Sequence, residues 1–408
     1  MLKLPDGEVS YWIDSTERSE YRALADDIDT DVVVVGGGIA GLTCAYLLSK
    51  SGKKVVVIEK DAIGSGVTGH TTGKVTSQHS VVYSELYDRL GKDEARLYGE
   101  ANQTALTEIN RIIKREKIDC DWQKQDNYVF SERPEDIARL KKEARIAGKL
   151  GLPATFTAEI PLPLPMVRGA VRFASQARFH PNKYLLGLTK AIVRNGGLVF
   201  EKTKAKHIRD GHSCIIATDS GTLKAKDVVI ATNVPFPWLA HGYYCAFEYP
   251  LKSYIIACRT NRTYKGMYIT PGRQPFSILP IKTGRKQLLL VGGASHVPGL
   301  TTSVAARFER LAKYAYDNFS VDSIEYKWSA RDYLGYDDKP LAGKLYPWSR
   351  HVYTLTGFMK WGLTNATAAS MIVCDSILGN KNPWAPTFST LRSKPVLSIP
   401  HTAGKYFS

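Results

Sequence analysis

The stretch DVVVVGGGIAGLTCAYLLSKSGKKVVVIEK, residues 31–60, determines the fold class of this chain. It contains a valine run, a glycine-rich turn, a segment with apolar residues at helical spacing and a second β-branched run. Continuous β-branched runs are typical of parallel strands that are buried on both faces. Gly52 marks the end of the helix between the two runs. The stretch therefore predicts a strand–helix–strand unit of a parallel sheet.

The turn between the first strand and the helix has glycines at the spacing GxGxxG. Gly36 permits a tight turn, Gly38 lets the backbone approach a pyrophosphate, and Gly41 allows the helix to pack closely on the strand. The N–H groups at the helix start, at Ile39 and Ala40, would face the phosphates. The pattern is weak when it occurs alone, but here it lies between a strand and a helix.

The second strand ends in Glu59 and Lys60. A carboxylate about 20 residues after the glycine turn accepts hydrogen bonds from ribose hydroxyls and disfavours a 2′-phosphate. The alternative is a glycine-rich turn followed by an acid by chance. Because the turn, the helix and the acid occur together, they predict a binding site for an adenine dinucleotide, with Lys60 beside it.

The composition is that of an ordinary globular protein, with 44% hydrophobic and 23% charged residues among 408. This length is sufficient for two domains. No apolar run is long enough to span a bilayer. The N-terminal residues lack the apolar segment of a secretory signal. We therefore expect a cytoplasmic protein without a membrane span.

The net charge of +16 is compatible with an anionic small-molecule substrate. The basic residues are mixed with acidic ones along the chain, and no nucleic-acid-binding motif accompanies them. We therefore expect no nucleic-acid partner. The six cysteines form no CxxC pair and share no metal-ligand spacing with a histidine, so the sequence predicts no metal site. The oligomeric state stays open.

Further motifs carry a resemblance to a known family: IEKDAIGSGVTGHTTGKVT (58–76), KDVVIATN (226–233), DDKPLAG (337–343) and TGFMKWGLT (356–364). In this order they resemble the D-amino-acid oxidase and glycine oxidase family of FAD-dependent oxidoreductases, over most of the chain. The segment TTGKVTSQH is similar to a bacterial and archaeal branch that often carries a C-terminal Rieske domain. A Rieske centre needs two cysteines and two histidines. Only His401 and no cysteine follow Arg392, so we expect the Rieske domain to be absent here.

The resemblance implies an α/β fold: a two-domain flavoprotein with a Rossmann-like FAD-binding domain and an inserted α+β substrate domain containing a mixed or antiparallel sheet. Short alternating strands between Tyr243 and Gly293 also favour an antiparallel sheet. Between Val81 and Ile118, the apolar spacing predicts one long amphipathic helix. The expected FAD-binding domain comprises residues 1–85, 165–240 and 325–408, and the substrate domain comprises residues 86–164 and 241–324.

The resemblance also implies that FAD is the cofactor. The motif TGFMKWGLT would lie at the pyrimidine edge of the flavin, where the N-terminus of the following helix stabilises negative charge on the reduced ring. Lys360 would add a cation there; the alternative is an exposed turn lysine. Besides the glycine turn, Glu59 and Lys60, the expected cofactor-binding residues are His70, Thr71, Thr72, Lys74, Ala231, Thr232, Gly357, Lys360, Trp361, Gly362, Leu363 and Thr364.

The segment GVTGHTTG resembles the loop of sarcosine and dimethylglycine dehydrogenases in which a histidine is bonded covalently to the flavin. His70 occupies that position in this sequence. The alternative is a loop histidine that lines the cofactor noncovalently. Thr71, Thr72 and Lys74 are expected to contact the flavin or the pyrophosphate chiefly through their backbone.

In this family, the strand-rich domain supplies an arginine or a tyrosine to the substrate. The candidates here are Arg331, Lys360 and Tyr254, with Lys252 and His296 in similar stretches; each is alternatively structural. Arg331 is favoured because a guanidinium can bind a carboxylate through two hydrogen bonds. The expected reaction is hydride removal from a small amine or amino acid, followed by hydrolysis of the imine. The alternatives are oxidation of a hydroxy acid or polyol, and an FAD-binding assembly or electron-transfer scaffold without catalysis.

Overall fold

The computed structural model of the chain describes residues 4–236, 238–284, 286–299 and 303–392, so His401 lies outside the described residues. The strands are β1 (Ile28–Val35), β2 (Val55–Ile58), β3 (Lys74–Val75), β4 (Gln123–Ser131), β5 (Ala154–Thr157), β6 (Gly169–Arg178), β7 (Leu198–Phe200), β8 (Ala205–Arg209), β9 (Cys214–Thr218), β10 (Thr222–Ile230), β11 (Glu248–Thr260), β12 (Met267–Ile269), β13 (Ser277–Thr283), β14 (Lys286–His296), β15 (Ser323–Gly335), β16 (Leu341–Lys344) and β17 (Val352–Thr356). The helices are α1 (Tyr11–Asp14), α2 (Ile39–Lys50), α3 (Tyr83–Leu90), α4 (Lys92–Glu116), α5 (Ile137–Lys149), α6 (Pro181–Arg194), α7 (Trp238–Tyr244), α8 (Val304–Asn318), α9 (Gly362–Leu378) and α10 (Ala385–Phe388).

An eight-stranded sheet contains the strand–helix–strand unit predicted from residues 31–60. Six of its strands lie in the order β16-β17-β10-β1-β2-β7, while β9 pairs with the first half of β10 and β8 pairs with β9. β1 is parallel to both β2 and β10, and β10 is parallel to β17. The valines of β1 are buried, as expected for a parallel strand covered on both faces.

The helices α2 and α9 follow β1 and β17, so both begin at the carboxyl edge of the parallel strands. They pack closely along their length. The Ser370 hydroxyl of α9 donates a hydrogen bond to the carbonyl oxygen of Ala40 in α2 at 2.8 Å. Further along, the Sγ atoms of Cys44 and Cys374 lie 3.4 Å apart. This packing brings two helix N-termini to one edge of the sheet.

A nine-stranded sheet forms the second layer, in the order β15-β11-β14-β13-β12-β4-β6-β3, with β5 beside β6. Most neighbours are antiparallel, but β12 is parallel to β4, so the sheet is mixed. Phe308 and Leu311 of α8 pack against one part of it, and Trp12 and Trp328 pack in a separate core cluster. The predicted α/β fold with a Rossmann-like sheet and a second, mixed sheet is confirmed.

The division into two domains stays a proposal, and sheet membership suggests how its boundaries could be drawn. β6 and all but the first two residues of β15 fall within ranges assigned above to the FAD-binding domain, although both strands belong to the nine-stranded sheet. β3 pairs with β6 and also belongs there. If domains follow hydrogen-bonded sheets, these three strands go with the substrate domain.

The single long helix predicted between Val81 and Ile118 is instead two helices, α3 and α4. Gly91 lies between them with φ +89°, a backbone conformation that favours glycine. Its N–H donates to the carbonyl oxygen of Tyr87 at 3.1 Å and so ends α3. The prediction missed this break because the apolar spacing continues across the glycine.

Candidate functional site

A cavity of about 1200 Å³ lies at the carboxyl edge of the parallel strands and is also lined by the nine-stranded sheet. Ligands of open α/β sheets bind at this edge. The cavity brings together most of the predicted site residues. Those that line it are Gly36, Gly38, Ile39, Ala40, Glu59, Lys60, His70, Thr71, Thr72, Ala231, Thr232, Tyr254, Lys360, Trp361, Gly362 and Leu363.

The glycine turn after β1 leaves open space at the N-terminus of α2. Gly36 has φ +121°, and a Cβ there would overlap the carbonyl oxygen of Ala231. A Cβ at Gly41 would overlap the carbonyl oxygen of Gly36. Gly38 lines the cavity, and a Cβ there would meet only the Thr68 hydroxyl, at 3.3 Å. The fold therefore requires Gly36 and Gly41, whereas Gly38 keeps space free beside the helix N-terminus.

Glu59 is held at the end of β2 by backbone hydrogen bonds. Its Oε2 accepts from the N–H of Gly37 at 2.7 Å, and its Oε1 accepts from the N–H of Asp61 at 3.0 Å. Each carboxylate oxygen can accept more than one hydrogen bond. The carboxylate is therefore fixed at the cavity wall and still able to accept from the hydroxyls of a ribose.

The turn between β17 and α9 forms another part of the cavity wall. Met359 and Lys360 have φ values of +57° and +67°, which side chains other than glycine rarely adopt. α9 begins at Gly362, and among the described residues no side chain caps its first N–H groups. Backbone strain of this kind clusters at functional sites. An uncapped helix N-terminus at a cavity wall favours a negatively charged ligand group.

Lys74 is not among the residues that line the cavity, and its predicted contact with the cofactor, chiefly through the backbone, stays a prediction. Its side chain is buried and donates hydrogen bonds to the carbonyl oxygen of Tyr268 and to Oγ of Ser277, the latter at 2.7 Å. Burial lowers the pKa of Lys74 to about 7. Because β3 pairs within the nine-stranded sheet, the lysine side chain points toward β12 and β13.

Three other predicted cofactor residues, Gly41, Gly357 and Thr364, also lie behind the cavity wall. The Thr364 hydroxyl donates to the carbonyl oxygen of Thr76 at 3.0 Å. A Cβ at Gly357 would lie 3.0 Å from Oε2 of Glu248. These residues hold the turns beside the cavity in place, but they do not line the cavity themselves.

Arg331 lies away from the cavity, whereas the next residue, Asp332, lines it. The Arg331 side chain is exposed. The residues on both sides of it, Ala330 and Asp332 to Leu334, line the cavity. The expected carboxylate-binding role of Arg331 therefore has no support from the cavity lining and stays a prediction.

Tyr254 borders the cavity, but its ring packs against α8. The ring centroid lies 5.0 Å from that of Phe308 and 5.7 Å from that of His296. The ammonium group of Lys252 lies 5.3 Å from the same centroid. The Tyr254 hydroxyl has no hydrogen-bond partner among the described residues. This packing favours the structural alternative for the ring.

Sequence reasoning missed a buried histidine beside the α9 turn. The His79 ring stacks on Trp361 with centroids 5.0 Å apart, and its Nδ1 lies 2.6 Å from the hydroxyl of Tyr98. Burial lowers the pKa of His79 to about 3, so the ring is neutral near pH 7. In the sequence, the position of His79 at the end of the motif TTGKVTSQH could have pointed to a role near the cavity. Further polar lining residues that were not predicted are Ser253, Ser277 and Asp332.

The residues present fit FAD. One cavity joins an open glycine turn suited to a pyrophosphate, a fixed carboxylate suited to a ribose, and an uncapped helix N-terminus suited to the pyrimidine edge of a flavin. A family model described as FAD dependent oxidoreductase (DAO) matches residues 31–376. The chain belongs to this family. FAD is therefore the cofactor of this DAO-family enzyme, as the sequence predicted.

Similar proteins agree with this membership. The chain is 33% identical to the putative Rieske 2Fe-2S iron-sulfur protein YhfW of Bacillus subtilis, over 94% of this chain and 75% of that protein. It is 24% identical to gamma-glutamylputrescine oxidoreductase of Escherichia coli, over 97% and 95% of the two chains. The crystal structure of glycine oxidase from Geobacillus kaustophilus has a TM-score of 0.74 at 21% identity and covers 89% of this chain and 99% of its own. This structural likeness supports the fold, and the predicted resemblance to the family is confirmed.

Within the described ranges, no cluster of three or more His, Cys, Asp or Glu side chains is arranged to hold a metal ion. In the same part of the chain, helices long and apolar enough to cross a membrane are absent.

His70 offers a direct test of how FAD is attached. Its Nδ1 lies 2.8 Å from the carbonyl oxygen of Gly66, so this nitrogen carries the proton and the ring is tied to the backbone of its own turn. We expect the flavin to be bound noncovalently. Acid precipitation of the holoenzyme should then release it into the supernatant, because a noncovalent cofactor leaves when the fold is lost. Yellow colour that stays with the pellet in the wild type, but not in His70→Ala, would contradict this and support the covalent bond.

Proposed function

We propose that this DAO-family enzyme oxidises a small amine or amino acid by removing a hydride from the carbon that bears the nitrogen. Water would then hydrolyse the imine. One observation carries the proposal: the cavity that fits FAD is also lined by the polar side chains of Asp332, Lys360 and Ser253. The names of the similar gamma-glutamylputrescine oxidoreductase and glycine oxidase refer to nitrogen-bearing molecules, which supports an amine as the substrate.

Bound FAD supplies the hydride acceptor. We propose that the backbone of Gly38, Ile39 and Ala40 holds its pyrophosphate, and that Glu59 binds its ribose. The polar edge of the flavin would lie against the residues that begin α9. The remaining proposed cofactor contacts are Lys60, His70, Thr71, Thr72, Ala231, Thr232, Lys360, Trp361, Gly362 and Leu363.

The protein's own contribution is then to stabilise charge and to exclude water. The N–H groups at the start of α9 lack a side-chain cap among the described residues, so they would stabilise negative charge on a reduced flavin bound with its pyrimidine edge there. The strands β11, β14 and β15 cover the cavity from the other side. Where a bound substrate displaces water from the cavity, these electrostatic interactions would become stronger than they are in solvent.

The chain does not need a basic side chain if the amine arrives in its neutral form. His79 is close to the α9 turn, but both of its ring nitrogens are engaged. Nδ1 faces the Tyr98 hydroxyl, and Nε2 lies 2.9 Å from the carbonyl oxygen of Thr76. Because burial also depresses its pKa, His79 is suited to positioning Trp361 rather than to accepting a proton.

Anaerobic reduction of the enzyme-bound flavin tests the proposed reaction. The holoenzyme is mixed separately with amino acids, simple amines, hydroxy acids and polyols, and the visible flavin absorbance is followed. We expect bleaching with one or more nitrogen-bearing substrates and none with the oxygen analogues. Bleaching only by hydroxy acids or polyols would contradict the proposal. Readmission of air then shows whether oxygen reoxidises the flavin.

A further inference from the structure

A row of basic side chains crosses the nine-stranded sheet on the face opposite the cavity. Lys252 of β11 is paired with His296 of β14 on one side and with Arg331 of β15 on the other. Side chains at directly paired positions of neighbouring strands lie on the same face. Successive side chains of one strand alternate between the faces, and since Ser253 lines the cavity, Lys252 points away from it. Strand pairing therefore gathers three basic residues outside the candidate active site.

Helix α8 brings a further basic residue to this face. The Nη1 atom of Arg307 lies 3.5 Å from the carbonyl oxygen of Ala294, two residues before His296. The ring of Tyr254 joins the group, because its centroid lies 5.7 Å from that of His296 and 5.3 Å from the ammonium of Lys252. Burial lowers the pKa of His296, and the positive charges of Arg307 and Lys252 lower it further. Lys252, His296 and Arg307, the basic cluster, are thus close enough to repel one another.

The basic cluster lacks an acidic partner within the described part of the chain. There, no carboxylate oxygen lies within 4.0 Å of a charged nitrogen of the cluster. The charge of Glu8 reaches the Tyr254 hydroxyl, but the Glu8 carboxylate accepts a hydrogen bond of 2.6 Å from Ser329. Two enclosed polar atoms, Nδ1 of His296 and the hydroxyl of Tyr254, have no hydrogen-bond partner among the described residues. Positive charge and hydrogen-bonding groups are therefore left unsatisfied at the same place.

The charge of the basic cluster indicates which ligand it would bind. Lysine and arginine are charged near pH 7, and a histidine gains a proton more readily when an anion is close. A carboxylate carries one negative charge, whereas a phosphate monoester carries about 1.5 to 2 near pH 7 and has three strong acceptor oxygens. Arginine and lysine are both common phosphate-binding residues. The three side chains are half-buried, so the terminal phosphate of a small molecule reaches them more readily than a flat protein surface does.

We propose that Lys252, His296 and Arg307 form a binding site for a phosphate group, either free phosphate or the end of a small phosphorylated molecule. Lys252 and Arg307 would each donate to one oxygen, and Nδ1 of His296 would donate to a third. Arg331, which is exposed beside Lys252, would add attraction at longer range. The inference does not depend on the proposed reaction, because the site lies on the other face of the sheet from the cavity.

Phosphate titration of the FAD-loaded enzyme tests the site, because bound FAD already occupies the pyrophosphate position in the cavity. The probes are inorganic phosphate, glycerol phosphate and acetate, each at a constant ionic strength set with chloride. Calorimetry gives the dissociation constants. NMR of histidine-labelled protein gives the pKa of His296, whose signal is identified by its absence from His296→Asn. The test variants are Lys252→Met and Arg307→Met, and a thermal melt shows that each of them folds.

Two further variants serve as controls. Lys313→Met removes a positive charge from an exposed position of α8, the helix that also contains Arg307. Lys360→Met removes a cation that lines the cavity. Neither control should change the dissociation constant of phosphate, because both lysines lie outside the basic cluster.

Phosphate should bind the wild type more tightly than acetate does. It should raise the pKa of His296 by about 1 to 3 pH units, as a nearby opposite charge does. Lys252→Met and Arg307→Met should each weaken phosphate binding about 10- to 100-fold, as expected for the loss of a hydrogen bond to a charged group. Tighter binding of glycerol phosphate than of inorganic phosphate would assign the site to a phosphorylated molecule, and the reverse order would assign it to the free ion; both results support the site.

Four results would overturn the proposal. Phosphate that binds no more tightly than acetate would show that the site does not select a phosphate group. Equal weakening in Lys313→Met and Arg307→Met would show that net charge alone explains the binding. Loss of phosphate binding in Lys360→Met would place the anion in the cavity instead. A pKa of His296 that does not move when phosphate binds would show that the phosphate lies elsewhere.

Discussion

Gly38→Val is expected to give a folded protein that purifies without FAD and therefore without colour. Gly38 has φ −89° and ψ −176°, an extended conformation that valine adopts readily. Its Cβ would lie 3.3 Å from the hydroxyl of Thr68, which accepts a hydrogen bond from the N–H of Ile39, so we expect the fold to tolerate the substitution with a small shift of the threonine side chain. The added side chain projects into the cavity at the N-terminus of α2, where the backbone must approach the pyrophosphate. Loss of two hydrogen bonds to a charged phosphate would weaken FAD binding about 100- to 10,000-fold.

The measurement is the ratio of flavin absorbance to protein absorbance after purification, with a thermal melt to show that the variant folds. Gly148→Val is the matched control. Gly148 lies in α5, and a Cβ there meets nothing closer than the carbonyl oxygen of Ala154, at 3.6 Å. The control should be fully yellow. A Gly38→Val protein with full flavin content would contradict the assignment of the pyrophosphate to this turn.

The parallel sheet was predictable because its signals are local. Residues 31–60 contain a complete strand–helix–strand unit, and the overlap of a Cβ at Gly36 or Gly41 with neighbouring backbone explains why glycine occurs at both places. The break between α3 and α4 was also marked, by Gly91. It was missed because one glycine does not interrupt the apolar spacing on either side. Local patterns therefore gave the elements more reliably than their ends.

The substrate side of the cavity could not be predicted in the same way, because it depends on which face of a strand is turned inward. Arg331 and Asp332 are neighbours in sequence, but only Asp332 lines the cavity. Tyr254 turns its ring toward α8, and Lys74 points into the nine-stranded sheet. These orientations depend on how distant segments of the chain pair and pack, and the local sequence does not reveal that.

Glu248, the first residue of β11, is a buried acid that should make the stability of the apoprotein depend on pH. Its carboxyl oxygens lie 3.0 Å and 2.9 Å from the hydroxyl of Thr356. The same hydroxyl lies 2.7 Å from the carbonyl oxygen of Asn233. A hydroxyl has one proton, so if Thr356 donates to Asn233 it must accept from Glu248. The geometry therefore favours a protonated Glu248, in agreement with burial, which raises its pKa to about 8.

Glu248→Gln is expected to stabilise the protein at alkaline pH and to leave it unchanged at acid pH. The folded-state pKa of about 8 lies above the ordinary value of 4.5. Between these values the unfolded chain has released a proton that the folded protein keeps, so the free energy of unfolding falls as pH rises. Glutamine is always neutral and can donate to Thr356 in the same way. The advantage of the variant should therefore appear above about pH 5 and reach roughly 3–5 kcal/mol near pH 8.

Urea unfolding of the apoprotein at several pH values between about 5 and 8 measures the difference in the free energy of unfolding between Glu248→Gln and the wild type. The wild-type free energy of unfolding should fall relative to that of Glu248→Gln by about 1.4 kcal/mol for each pH unit in the middle of the range. Glu309→Gln is the matched control, because Glu309 is exposed on α8 and its curve should follow the wild type throughout. A constant difference between Glu248→Gln and the wild type at all pH values would show that Glu248 is ionised in the folded protein. The hydroxyl of Thr356 would then have to donate to Glu248 instead, and the turn at Asn233 would lose the hydrogen bond that ties it to β17.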